Sequence, residues 1–170
     1  MSTPTSSTHR PGTHHGSQSR KSRVCALQMM YQWEIARDTP ERVKELYWRE
    51  VRSVAPREYA DKLFDAATSE TEVLDATIMR FARRWKIARM TAVDRNLLRL
   101  AVAEFRHCPE VPRPVVINEA IEIAKMFSSD DSYEFINGVL DAIAKEGAIA
   151  KEDPSASQGE ANETDVAKPD

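Results

Sequence analysis

The chain has 170 residues, of which 41% are hydrophobic and 30% are charged, and 24 Lys and Arg against 27 Asp and Glu give a formal net charge of −3. This length suits one domain, or two small lobes that share a core, and excludes a catalytic domain joined to a separate cofactor domain. The net charge, taken alone, argues against binding to polyanions through bulk charge.

The charge is distributed unevenly along the chain. Residues 1–23 hold four basic residues and no acidic one, whereas residues 151–170 hold six acidic residues and two lysines. Both flanks are rich in small and polar residues, so neither buries enough apolar surface to offset the entropy of ordering. We therefore predict a disordered basic head over 1–19, a helical domain over 20–146 and a disordered acidic tail over 147–170.

Helices should dominate this domain, because residues that permit tight turns are scarce in it. Gly138 is the only glycine between Ser17 and Glu146, and antiparallel hairpins need residues that tolerate positive φ. Apolar side chains at helical spacing predict a first helix from about 20 to 37. Thr39 followed by Pro40 predicts a second helix that runs to about residue 55.

Residues 57–84 keep a helical rhythm that fits either one long helix or two helices joined near 68–71, and we favour the long helix. Thr91, with Asp94 three residues later, resembles a capping box at the start of the next helix. A proline-rich connector over 108–114 ends that helix. The last three helices are predicted over 91–107, 114–127 and 131–146. The chain is thus predicted to be all-α, with six or seven helices.

Two features inside these helices need a structural explanation. Asn137-Gly138 often marks a hairpin, but its flanks are 3.6-periodic, so we place it within the last helix at a cost of about 1 kcal/mol and attribute the glycine to close helix packing. Cys25 and Cys108 lie far apart among apolar neighbours, which predicts buried free thiols.

The residues typical of common catalytic sites are missing from the sequence. It contains no glycine-rich phosphate loop, no paired-cysteine metal motif, no His-Glu-x-x-His and no Gly-x-Ser-x-Gly. We therefore expect a binding protein without a metal or a cofactor, and not an enzyme. The longest stretch without a charged residue is the ten residues from Val24 to Trp33, so we expect neither a membrane span nor a secretory signal, and a cytoplasmic location.

Two basic clusters could contact nucleic acid. Arg20, Lys21 and Arg23 lie where the head enters the first helix, and no acidic residue is near them in sequence. The second cluster spans Arg80 to Arg89 around Trp85 and combines positive charge with an aromatic ring, as single-stranded nucleic acid requires. An ordinary helix end with its cations at the C-terminus explains the arginines equally well, and for Trp85 we favour a position in the core.

Four segments of the chain form a distinctive set, of which Asn118-Glu-Ala with Lys125 and Phe135-x-Asn-Gly-Val-Leu are the most specific. The four segments are Arg23–Trp33, Val93–Ala101 with Glu104, Val116–Lys125 and Phe135–Asp141. In combination they resemble the NusB family of transcription antitermination factors. The resemblance covers about residues 20–146 and leaves both flanks without a counterpart.

The resemblance implies an all-helical fold of two three-helix lobes. It also implies a protein that binds boxA-type RNA in nascent ribosomal transcripts together with NusE, a ribosomal protein of the small subunit, and that keeps RNA polymerase elongating through terminators. By resemblance, RNA contacts fall at Arg20, Lys21, Arg23, Asp131 and Phe135, and contacts with NusE fall at Tyr31 and Asp94. The residues themselves also allow a capping role for Asp94 and a core position for Phe135.

Two other functions fit the same segments. NusB-like helical modules also precede the catalytic domain of ribosomal RNA cytosine methyltransferases, and a helical domain of this kind could act purely as a structural dimer. If three phosphates are contacted, the affinity for single-stranded RNA should fall with salt with a log–log slope of about −2.

Overall fold

The computed structural model describes residues 14–52, 55–82 and 86–146. The head before His14, the tail after Glu146 and residues 83–85, which include Trp85, lie outside the described residues. Seven α-helices and one 3-10 turn make up the described part, in which there is no strand. The helices are α1 His14–Ala36, α2 Pro40–Glu50, α3 Arg57–Ser69, α4 Thr71–Phe81, α5 Ala92–His107, α6 Arg113–Phe127 and α7 Asp130–Glu146, with the turn at Ile87–Arg89 before α5. The prediction of an all-α fold is confirmed.

The helices form two groups that share α5. Helices α1, α2 and α3 pack against one another on one side, and α4, α6 and α7 pack around α5 on the other. Helix α5 also packs against α1 and α3. Every residue of α5 from Asp94 to Glu104 is buried except Arg95. Because the core is continuous across α5, the position of each surface helix is fixed relative to the others.

Helix starts follow the predicted caps. The Thr39 hydroxyl accepts a hydrogen bond from the amide of Arg42 at 3.3 Å, and Pro40 occupies the first turn of α2. The Thr91 hydroxyl accepts one from the amide of Asp94 at 3.1 Å at the start of α5. Both caps satisfy amides that have no partner within their helix.

The prediction of one long helix over 57–84 is wrong, because the chain leaves helical geometry at Glu70. This residue has φ −118° and ψ 21°, and it separates α3 from α4. Its carboxylate accepts a hydrogen bond from Arg106 Nε at 2.8 Å and lies 3.0 Å from His107 Nε2, so the break is fixed by the C-terminal turn of α5. Apolar periodicity carries no information on such a contact.

Two helix boundaries also differ from the prediction. Helix α1 begins at His14, six residues before the predicted start, because extending a helix already anchored in the core needs no new nucleation. Helix α2 ends at Glu50 instead of near residue 55, since Val51 is extended at φ −95° and ψ 111°.

Gly138 lies within α7 as predicted, but close helix packing does not explain it. A Cβ atom at this position would meet no atom within 4 Å apart from its chain neighbours and the adjacent backbone of α7, and the residue is exposed. Cys25 and Cys108 are buried free thiols, as predicted. No helix in the described part of the chain is long and apolar enough to cross a membrane.

Candidate nucleic-acid interface

Arg20 and Lys21 lie on the outer side of α1. Lys21 is exposed, and the Arg20 side chain is 38% exposed. Arg20 donates from Nε and Nη2 to the two carboxylate oxygens of Glu119 in α6, at 2.6 and 2.8 Å. The hydrogen bonds with Glu119 raise the pKa of Arg20. This pair holds the guanidinium in one orientation and leaves its Nη1 donors for a ligand.

Arg23 points in the opposite direction, into the core. It is 6% exposed, and it donates from Nε to Glu104 at 2.9 Å and from Nη2 to the second oxygen of the same carboxylate. The Tyr59 hydroxyl donates to Glu104 as well. Burial lowers the pKa of Arg23, but the ion pair with Glu104 outweighs burial and raises it overall. The structure therefore separates Arg23 from Arg20 and Lys21, with which the sequence groups it.

A cavity of about 340 Å³ lies beside the two outer cations. Its walls are mainly apolar and come from α1, from Tyr47 and Val51 at the end of α2, and from Met126 near the end of α6. The Tyr47 hydroxyl donates to the side-chain oxygen of Gln28, and burial raises the pKa of that hydroxyl. The residues that line the cavity are Arg20, Lys21, Val24, Cys25, Gln28, Tyr47, Val51 and Met126.

An apolar surface adjoins this cavity. Tyr31 is 45% exposed, and it lies one helical turn beyond Gln28 on α1, with Ile35 a further turn on. Met126 and Phe127 at the end of α6 are also largely exposed. We call Tyr31, Ile35, Met126 and Phe127 the apolar patch. Large exposed apolar residues that share a region are typical of a protein-binding surface.

Asp94 is buried, with 6% of its surface exposed, and both of its carboxylate oxygens are hydrogen-bonded. Ser128 Oγ donates to Oδ1 at 2.5 Å, and Ser132 Oγ donates to Oδ2 at 3.1 Å. The carboxylate thus joins the start of α5 to residues 128–132, which comprise the two residues between α6 and α7 and the first turn of α7. We call this segment the α6–α7 connector. A capping box would instead turn this carboxylate back toward Thr91.

The two other residues that the resemblance assigns to RNA lie at or near this connector. Asp131 is exposed in the first turn of α7. Phe135 follows one turn later on the same helix and is partly buried against the core. The sequence did not single out Ser128 or Ser132, although Ser128-Ser-Asp-Asp-Ser132 is a dense run of small polar residues at a helix boundary. Glu119 belongs to the Asn118-Glu-Ala motif, but its pairing with Arg20 was not predicted.

The second basic cluster lies elsewhere and is only partly described. Arg80 donates to Glu146 at 2.7 Å, and its guanidinium lies over the ring of Phe81 at 5.5 Å from the ring centre. Lys86 and Arg89 are exposed beside the 3-10 turn. No group of His, Cys, Asp or Glu among the described residues could hold a metal ion.

Fold and surface define an all-helical binding module with a cationic edge, an apolar cavity and an apolar patch. The model of the NusB family matches residues 20–145. The transcription antitermination protein NusB of Koribacter versatilis is 46% identical over 129 residues, which cover 75% of this chain and 88% of the relative. That of Sorangium cellulosum is 40% identical and covers 72% of this chain and 89% of its own length. The chain belongs to the NusB family of transcription antitermination proteins.

Solved structures agree with this assignment. NusB of T. maritima has a TM-score of 0.67 at 31% identity and covers 75% of this chain and 91% of its own. A structure of antitermination factors NusB and NusE in complex with dsRNA has a TM-score of 0.67 at 27% identity and covers 78% of this chain and 98% of the matched chain.

Proposed function

We propose that this protein binds boxA-type RNA in nascent ribosomal transcripts together with NusE, and thereby keeps RNA polymerase elongating through terminators in the cytoplasm. The observation that carries the proposal is the order of three features along α1. The cations Arg20 and Lys21 come first, the apolar cavity follows, and the apolar patch lies beyond it. In a chain of the NusB family, this arrangement offers adjoining sites for an RNA and for a protein.

Arg20 and Lys21 bind RNA phosphates in this proposal. Lys21 supplies an exposed ammonium, and Arg20 supplies the guanidinium donors that remain free of Glu119. The adjoining cavity is large enough for an unstacked base and has the apolar walls that base stacking favours. Asp131 and Phe135 contact the RNA further along, at the start of α7.

Arg23 has a structural role in this proposal. Its guanidinium is enclosed with Glu104, and release toward a phosphate would leave that carboxylate buried without its cation. Two outer cations thus replace the three expected from the sequence. The contribution of this site to the salt dependence becomes about −1.4 in log–log slope, at ~0.7 per phosphate on a single strand.

The apolar patch is the proposed site for NusE. Tyr31 presents a ring that is nearly half exposed. Met126, which lines the cavity together with α1 residues, and Phe127 add exposed apolar surface at the end of α6. Aromatic anchors of this kind dominate the binding energy of protein interfaces. Asp94 is connected to this patch through the chain, because Ser128, which donates to it, directly follows Phe127.

Titration of boxA-containing ribosomal leader RNA against the full chain tests this function. Four ligands are compared, with and without NusE: the single strand, a scrambled single strand of equal composition, and a duplex of each. We expect the boxA single strand to bind most tightly and NusE to increase that preference. Equal affinity for boxA and scrambled RNA under all conditions would contradict the proposed function.

A further inference from the structure

The α6–α7 connector is held from behind by a single carboxylate. Asp94 is the third residue of α5, and it accepts hydrogen bonds from Ser128 and from Ser132, the residues at the two ends of the connector. Within the connector, the amide of Ser132 also donates to the carbonyl oxygen of Ser129 at 3.0 Å. We call Asp94, Ser128 and Ser132 the serine clasp.

The clasp lies between two surfaces that have separate ligands in the proposed function. Ser128 is next to Phe127, whose ring is 45% exposed in the apolar patch. Ser132 is next to Asp131, which is exposed at the start of α7. A movement of Ser128 therefore moves Phe127 in the apolar patch, and a movement of Ser132 moves Asp131 on the RNA-binding surface.

Asp94 is buried, and its hydrogen bonds are directed into the protein. Only 6% of the residue is exposed, and both oxygens already accept hydrogen bonds. A negative charge in the first turn of a helix is favoured by the helix dipole, which makes this carboxylate a stable anchor for two hydroxyl donors. The amide of the same residue is fixed by the hydroxyl of Thr91.

We infer that Asp94 is a positioning residue that couples the two surfaces through the serine clasp. Its carboxylate sets the conformation of the α6–α7 connector. The connector in turn places Asp131 for contact with RNA and Phe127 for contact with the protein partner. Binding of either ligand therefore favours one conformation of the connector. The role of the clasp in RNA binding rests on the proposed function. The role of the clasp in ordering the connector is independent of the proposed function.

The inference predicts that Asp94→Ala and the double variant Ser128→Ala/Ser132→Ala have the same effect. Each should lower the affinity of the partner-free protein for boxA RNA by about threefold to tenfold, the size expected for loss of a coupling element. The triple variant should lose no more than either, because all three residues act as one unit. NusE should also raise RNA affinity less in each variant than in the wild type.

A matched control separates positioning from general stability. Asp75 is a partly buried carboxylate of α4 that accepts two hydrogen bonds from Arg99 of α5, both at 2.7 Å. Asp75→Ala should lower the melting temperature while leaving RNA affinity unchanged. Wild-type RNA and NusE affinities in the serine double variant, together with weak NusE binding by Asp94→Ala, would overturn the inference and make Asp94 a direct partner contact.

Hydrogen exchange without any ligand tests the clasp independently of the proposed function. The amide of Ser132, which donates to Ser129, and the amides of residues 134–136, the first that have acceptors within α7, should exchange at least about threefold faster in Asp94→Ala and in the serine double variant than in the wild type or Asp75→Ala. Unchanged exchange would overturn the clasp. If the wild type fails to distinguish boxA from scrambled RNA while exchange rises as expected, the proposed function fails and the ordering role of the clasp stands.

Discussion

The guanidinium of Arg23 is enclosed between α1, α3 and α5, where it binds Glu104 and lies 5.6 Å from the ring centre of Tyr59. Both side chains of the ion pair are almost fully buried. Removal of one member leaves the other charge in a poorly solvated site, which costs far more than removal of an exposed cation such as Lys21.

Arg23→Ala should therefore lower the free energy of unfolding by about 3–5 kcal/mol, whereas Lys21→Ala should change it by no more than about 0.5 kcal/mol. Urea denaturation of both variants measures the difference. The double variant Arg23→Leu/Glu104→Leu should recover part of the loss, because no charge remains uncompensated. Equal stability of Arg23→Ala and Lys21→Ala would show that the ion pair is not a structural element.

The apolar spacing in the sequence of α1 indicates that Arg23 is buried, but the sequence does not identify the partner of Arg23. Leu27 and Met30 come four and seven residues later and lie on the buried side of α1. Arg23 shares that side, and Lys21 does not. Glu104, however, is 81 residues away in sequence and is identified as the partner only by the packing of α1 against α5.

At the scale of the helices, Glu70 shows how a single side chain divides one periodic segment into two helices. Burial of its carboxylate would raise its pKa, but the hydrogen bond from Arg106 and the charges of Arg106 and His107 outweigh burial and lower the pKa below its ordinary value of 4.5. Folding thus favours the ionised form. The resulting stabilisation is complete above the ordinary pKa and is lost as the pH falls through the lowered value.

Glu70→Gln should accordingly destabilise the protein near neutral pH and have a smaller effect in acid. The difference in the free energy of unfolding between wild type and Glu70→Gln should shrink as the pH falls below about 4.5, where the carboxylate takes up a proton in the unfolded chain before it does so in the folded protein. Denaturation curves between pH 3 and 7, at about unit intervals, measure this difference. Glu72 is exposed in the first turn of α4, and Glu72→Gln is the matched control, which should show no such trend. A constant difference across the range would contradict the assignment.

The fold at this scale was largely predictable, since apolar spacing, the Thr39 cap and the proline connector identify the helices. Gly138 shows the limit of such reasoning. Close packing is a frequent reason for a glycine within a helix, but here α7 presents it to open space. The packing of α7 against α5 and α6 decides which side faces outward, and that packing depends on tertiary contacts.

Gly138→Ala should stabilise the protein by about 0.5–1 kcal/mol, because alanine loses less backbone entropy in a helix and its Cβ meets no neighbour. The melting temperature should rise, and RNA affinity measured in parallel shows whether the added methyl group meets a ligand. Ala142→Gly, one turn later on the same helix, should lower stability by a similar amount. A loss of stability in Gly138→Ala would indicate that the glycine relieves a backbone constraint.

At the scale of the whole molecule, α1 connects the parts that the proposed function requires. Its inner side carries Arg23 into the shared core, and its outer side carries Arg20, Lys21 and Tyr31 past the cavity toward the end of α6. The sequence identified these outer residues by resemblance to the NusB family. The cavity and the serine clasp were not predictable, because their residues come from helices that are distant in sequence and meet only in the folded chain.

Salt dependence of RNA binding tests which cations of this surface contact phosphates. Lys21→Ala should reduce the magnitude of the log–log slope for single-stranded boxA RNA by about 0.7, and Arg20→Ala/Lys21→Ala should reduce it by about 1.4. Lys145→Ala removes an equally charged and exposed side chain at the end of α7, where it pairs with Asp141, and should leave the slope unchanged. Affinities measured by fluorescence anisotropy between about 50 and 300 mM salt give the slopes. If Lys145→Ala changes the slope as much as Lys21→Ala does, bulk charge governs binding and the outer side of α1 is not the phosphate site.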